Sequence, residues 1–107
     1  MMLDQNRIEA LRAEVGAAGF DEVVDLFLEE VEEAMARLRA GSDAAALERD
    51  LHFLKGLALN LGFRHLSALC QQGERAAARH APVDVAAVLA SYAASRRKFL
   101  ALVQRAG

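Results

Sequence analysis

One cysteine, one proline and no tryptophan occur in this chain of 107 residues. The lone Cys70 excludes an internal disulfide and a multi-cysteine zinc site. Aromatic residues are scarce at 6%, and β-branched runs are few, while the 54% apolar share is rich in alanine. That balance favours an all-helical domain and disfavours disorder. No apolar run approaches the ~18 residues needed to span a bilayer. The opening MMLDQNRIEA lacks the basic-then-apolar order of a signal peptide. Positive charge is not in excess, the net charge being −2, which argues against nucleic acid as the main partner. No GxxxxGK[ST] and no glycine-rich loop after a strand is present, so nucleotide binding has no motif. These absences leave a soluble, cytoplasmic protein, one domain over residues 1–107, with length for a single core.

Periodicity and punctuation divide the chain into helices. A short first helix is expected from about Asp4 to Val15, with Asp4 as cap, Ile8, Leu11 and Val15 as its stripe, and Gly16 as its end. A second runs from Phe20 or Asp21 to Ala40. Its set Val23, Val24, Phe27, Leu28, Val31, Ala34, Met35 and Leu38 keeps i, i+3, i+4 spacing over five turns. Ser42 or Asp43 caps a third, about 43–61, which stops at Gly62. A fourth spans Arg64 to His80 with Leu66, Leu69, Cys70, Gly73 and Ala77 inward. The last follows Pro82, from Val83 or Asp84 to Gln104, with Val85, Val88, Leu89, Tyr92, Phe99, Leu102 and Val103 inward. Short connections make sequential helices antiparallel. The expected fold is all-α: an up-down four-helix bundle with a short extra N-terminal helix laid across one end.

The third helix contains an anomaly, LHFLKGLALNLG, where Gly56 sits mid-helix at a cost of about 1 kcal/mol against alanine. On a helical wheel Leu47, Leu51, Leu54, Leu57, Ala58 and Leu61 share one arc. His52 lies roughly 140° from the middle of that arc at 100° per residue, so it faces solvent. Its stripe holds Ala45, Glu48, Gly56, Leu59 and Phe63, with Lys55 to one side. An apolar pair beside an exposed histidine suggests a docking surface, and a missing side chain at Gly56 clears space for an approaching group. The plainer alternative makes Gly56 a tolerated defect and packs Leu59 and Phe63 on the N-terminal helix.

HFLKGLALNLGF resembles the signature of histidine phosphotransfer (Hpt) domains of two-component phosphorelays. That signature has a histidine, two residues, Lys-Gly, a run of small or apolar residues, then an apolar-Gly pair. His52, Lys55, Gly56, Ala58, Asn60, Leu61 and Gly62 are in register with it. The likeness extends upstream through GSDAAALERDL and downstream into FRHLSALCQQGE. Leu57 and Leu59 depart from it, standing where many members carry Ser, Ala or Gly, and Leu59 makes the exposed stripe more apolar.

The resemblance implies a phosphorelay carrier. His52 accepts a phosphoryl group on Nε2 from a receiver-domain aspartyl phosphate and passes it to a response-regulator aspartate. Exposed imidazoles titrate near ~6.5, so the neutral nucleophile is plentiful at pH 7. A carboxylate or amide accepting from Nδ1–H fixes the tautomer and raises the basicity of Nε2. By resemblance that acceptor comes from the next helix and is Glu74, with Gln71 as the fallback. Lys55, one turn from His52, offsets charge on the phosphoryl group; as an ordinary surface lysine it would pair with Glu48. Docking is assigned to Glu48, Gly56, Leu59, Phe63 and Arg64, with Gly56 bare so that a receiver brings its aspartate in line. The partners implied are the receiver domain of a sensor or hybrid histidine kinase and that of a response regulator. No cofactor or metal is expected on this chain, since Mg²⁺ belongs to the receiver, and members are commonly monomeric. Transfer by positioning and charge neutralisation makes the chain a phosphocarrier, not an autonomous enzyme, and it is too short for a kinase domain.

His65 is expected to be semi-buried or capping, His80 to sit at a helix C-terminus, and Cys70 to be a core thiol. The run Glu29–Glu33 reads as a solvated face, and SRRK, Ser95 to Lys98, is too small for a nucleic-acid site. A metal-binding bundle using Glu48, His52 and Glu74 lacks the Glu-x-x-His spacing of di-iron bundles. A non-catalytic adaptor would use the same face without phosphate transfer. Direct phosphorylation by a kinase from ATP is a third alternative, and the chain carries no kinase domain for it.

Overall fold

The computed structural model describes residues 2–105. They form four helices and no strand: α1 (Gln5–Ala40), α2 (Ala44–Leu61), α3 (Arg64–Ala78) and α4 (Val85–Arg105). Each packs on the next and α4 returns to α1, closing a ring around one core. Antiparallel pairing follows from the cross-links. Arg37 pairs with Asp50 at 3.0 Å across the α1–α2 turn, and His52 with Glu74 at 3.0 Å across the α2–α3 turn, each nearly symmetric about its turn.

The helix starts are set by carboxylates. Asp4 Oδ1 accepts from Arg7 N–H, Asp43 Oδ1 from Ala46 N–H and Asp84 Oδ1 from Ala87 N–H. α2 ends at Gly62, whose left-handed φ of 76° turns the chain directly into α3. α3 ends at Ala78, two residues before the expected His80, which stands outside at φ 56°.

The expected N-terminal helix ends at Gly16 as the sequence indicates, but the long helix follows at once instead of starting at Phe20 or Asp21. α1 is helical on both sides of Gly16, whose φ of 79° and ψ of 157° make the bend between two segments. Ala17 and Ala18 are strong helix formers, and Phe20 is buried beneath the Arg12 guanidinium, 4.8 Å from its ring centroid, so no gap remains. The first segment does cover one end of the bundle. Asp4 N–H donates to Gly62 O at 2.7 Å, and Ile8 is buried.

The core runs through Val31, Met35, Leu51, Leu54, Leu61, Leu66, Cys70 and Val88. An aromatic group closes the end near Gly62. Phe63 meets Phe99 edge to face at 5.4 Å between centroids, and Tyr92 and Phe20 flank them. Two polar residues of α4, Ser91 and Ser95, are buried in positions that the apolar pattern left unmarked.

Candidate functional site

α2 carries His52 on its outer face because Leu51, Leu54, Leu57, Ala58 and Leu61 are all buried on the inner one. The imidazole is 68% exposed, while Glu74 from α3 reaches its inner edge. Glu74 Oε2 lies 3.0 Å from His52 Nδ1. An ionised carboxylate only accepts, so Nδ1–H donates and Nε2 is left with its lone pair toward solvent.

Glu74 is itself held from two sides. Lys55 Nζ lies 3.2 Å from its Oε1 in an ion pair without hydrogen-bond alignment, so the enclosed Oε1 has charge compensation but no aligned donor. Burial pushes the Glu74 carboxyl up. The hydrogen bond from His52 and the charge of Lys55 outweigh it, and the net position is below the ordinary carboxylate value. One turn earlier on α3, burial first and Glu74's charge second push the Cys70 thiol up to about 12. Cys70 is thus an inert floor beneath the site.

A glycine brings these residues together. A Cβ on Gly73 would lie 2.9 Å from Leu51 Cδ1 and 3.2 Å from Val83 Cγ1. Its absence lets α3 approach α2 at the residues next to Glu74 and His52. The sequence marks Gly73 as inward but gives no sign of that approach, which depends on the register between two helices.

The other residues assigned from the sequence divide. Gly56 is exposed, and a Cβ there would meet nothing within 4 Å. Leu59 is exposed at 56%, and Glu48 is half-buried one turn before His52. Arg64 is exposed with Nη2 3.2 Å from Asp4 Oδ2. Lys55 pairs with Glu74, not Glu48, and Glu74, not Gln71, bonds Nδ1. Phe63 is a correction. It is fully buried against Phe99 and Tyr92 and lines no exposed face. The wheel of α2 stops at Gly62, where the left-handed turn redirects the next side chain inward. Phe53, 44% exposed beside His52, is a further apolar surface residue outside the stripe marked in the sequence. Its signal was its wheel position, roughly 100° from His52 and outside the core arc.

His65 is exposed by area, yet its Nδ1 lies 2.7 Å from Ser91 Oγ, tying α3 to α4 in a structural role. Among the described residues no three His, Cys, Asp or Glu side chains form a metal-holding group, and no helix is long and apolar enough to cross a membrane.

Among the described histidines, His52 is the one whose exposed imidazole is held by a carboxylate from the neighbouring helix, an arrangement suited to carrying a group on histidine. The profile of one family, the Hpt domain, matches residues 22–105, nearly the whole chain, and the chain belongs to that family. Its function is therefore histidine phosphotransfer in two-component phosphorelays, in which Hpt domains work with receiver domains of kinases and response regulators. No curated protein and no solved structure matches the chain.

Proposed function

We propose that His52 is the phosphoacceptor and that the protein shuttles phosphoryl groups between two receiver aspartates. The observation that carries this reading is the 3.0 Å contact of Nδ1 with Glu74, which leaves Nε2 free on an exposed face. In the accepting step the Nε2 lone pair attacks phosphorus, an N–P bond forms, and the O–P bond to the donor aspartate breaks. The aspartate leaves as a carboxylate. The passing step is the reverse, toward another aspartate. The receiver would hold the Mg²⁺, which would supply charge neutralisation for the transferring oxygens. Lys55 adds its cation near the product, and Glu74 fixes the ring.

Gly56, Leu59 and Phe53 form the surface on which the receiver docks, with Glu48 and Arg64 at its margins. The bare Gly56 lets the receiver backbone come within reach of the imidazole, which in-line displacement requires.

The test is transfer from a phosphorylated receiver domain to the wild-type chain and to His52→Gln. The wild type is expected to take up acid-labile, base-stable label that maps to His52, and the variant to take up none. Complex formation without label on His52, across several receivers, would support an adaptor and overturn the carrier reading.

A further inference from the structure

We infer that Glu74 does more than orient the ring: its negative charge on Nδ1 sets how fast the phosphoryl group leaves His52. This inference rests on the carrier reading above. The arrangement behind it is the pair of contacts at Glu74, Oε2 to His52 Nδ1 at 3.0 Å and Oε1 to Lys55 Nζ at 3.2 Å.

Loading and unloading ask different things of the imidazole. Loading needs a neutral ring with the proton on Nδ1 and the lone pair on Nε2. Any hydrogen-bond acceptor at position 74 maintains that tautomer, an amide carbonyl included. Unloading breaks the N–P bond, and the electron pair returns to Nε2. If Nδ1 carries a proton, the leaving group is neutral imidazole. If it does not, the leaving group is imidazolate, a far poorer one. The phosphoryl group passes to water or to an aspartate oxygen, and Nδ1 keeps its proton throughout. A carboxylate beside Nδ1 stabilises the protonated phosphoimidazole, which an amide does not.

The groups facing this pair come from two helices. α2 supplies Lys55 and, one turn before His52, Glu48; α3 supplies Glu74 and the buried Cys70 thiol. α1 packs on the other flank of α2, where Arg37 is engaged with Asp50. Lys55 therefore opposes Glu74. It draws off part of the carboxylate's charge and holds the phosphohistidine's lifetime longer than Glu74 alone would. Neutralising either residue should move the decay in opposite directions.

The experiment loads the full chain with phosphoramidate, a small phosphodonor whose P–N bond breaks with loss of ammonia as the Nε2–P bond forms. Decay of phosphohistidine is then followed by mass spectrometry from pH 5 to 10, for wild type, Glu74→Gln and Lys55→Met, with helicity checked by circular dichroism. Glu74→Gln is expected to load on His52 more slowly than the wild type, and decay is read only on the fraction that has loaded. Its decay profile should have a midpoint about one pH unit lower, which slows decay about tenfold above the midpoint and leaves the acid plateau unchanged. Lys55→Met is expected to move the midpoint upward. A folded Glu74→Gln with the wild-type midpoint would overturn the inference and leave the carrier reading standing. Failure of the wild type to load on His52 would overturn both.

Discussion

Gly73 and Leu51 stand so close that a single added methyl on Gly73 would lie 2.9 Å from Leu51 Cδ1. Leu51 is fully buried and precedes His52; Gly73 precedes Glu74. The separation of the two helices at this point therefore fixes the contact between imidazole and carboxylate. Gly73→Val should cost about 1–3 kcal/mol through overpacking, measured by chemical denaturation. It should also lengthen the His52–Glu74 contact, seen as loss of the downfield Nδ1–H proton resonance. Gly73→Ala brings the same clash from one methyl, partly offset by about 1 kcal/mol of regained helix propensity, so its effects should run the same way and be smaller. A valine variant with wild-type stability and resonance would show that the approach at Gly73 is not needed.

Gly56 is the opposite kind of glycine, with open space around its missing Cβ. Gly56→Ala is expected to raise stability by about 1 kcal/mol, because nothing offsets the gain in helix propensity. Transfer from a receiver should slow at the same time, while loading by phosphoramidate stays unchanged. If receiver transfer keeps its wild-type rate, docking does not require the bare position.

Phe63 and Leu59 separate core from surface. Phe63→Ala removes a fully buried ring from the aromatic group and should cost about 3–5 kcal/mol. Leu59→Ala, on an exposed side chain, should stay within about 0.5 kcal/mol of wild type and weaken receiver binding. Thermal melts together with titration by a receiver domain distinguish the two.

The acid limb of stability should carry the signature of Glu74. Its folded carboxyl sits below the ordinary value of 4.5. The native state therefore binds fewer protons than the unfolded chain in this range, and stability rises with pH. Glu74's contribution is fully present above the unfolded value and is lost as pH falls through the lowered folded one. Glu74→Gln should flatten that part of the curve between about pH 5 and pH 3, measured by urea denaturation at each pH. A curve as steep as wild type would place the acid sensitivity elsewhere.

Cys70, buried and pushed up to about 12, should resist alkylation by iodoacetamide at pH 8 in the native protein and react once urea unfolds it. Rapid native labelling would mean that the floor of the site opens readily.

Much of this was legible in the sequence because helix faces are local. The spacing of Leu51, Leu54, Ala58 and Leu61 is enough to turn His52 outward, and Gly16 and Gly62 mark the bend and the turn they make. Extrapolation beyond a local frame fails. The wheel of α2 turns Phe63 outward although that helix ends at Gly62, and the apolar pattern starts the long helix at Phe20 although residues 17–19 are already helical. Ser91 and Ser95 are buried although polar: Ser91 finds a partner in His65, whereas the Ser95 hydroxyl is enclosed without one. The closeness of Gly73 to Leu51 is a matter of register between helices, which no single helix records.

A histidine carrier of this build needs His52 to offer Nε2 while Glu74 holds Nδ1. Long-range ¹H–¹⁵N correlation of the histidine rings, taken before and after loading with phosphoramidate, reads both nitrogens. The expected spectra show a protonated Nδ1 on His52 in the free protein and a phosphorus coupling on its Nε2 afterwards. A free His52 protonated on Nε2, or phosphorus on Nδ1 or on His65 or His80, would contradict this arrangement.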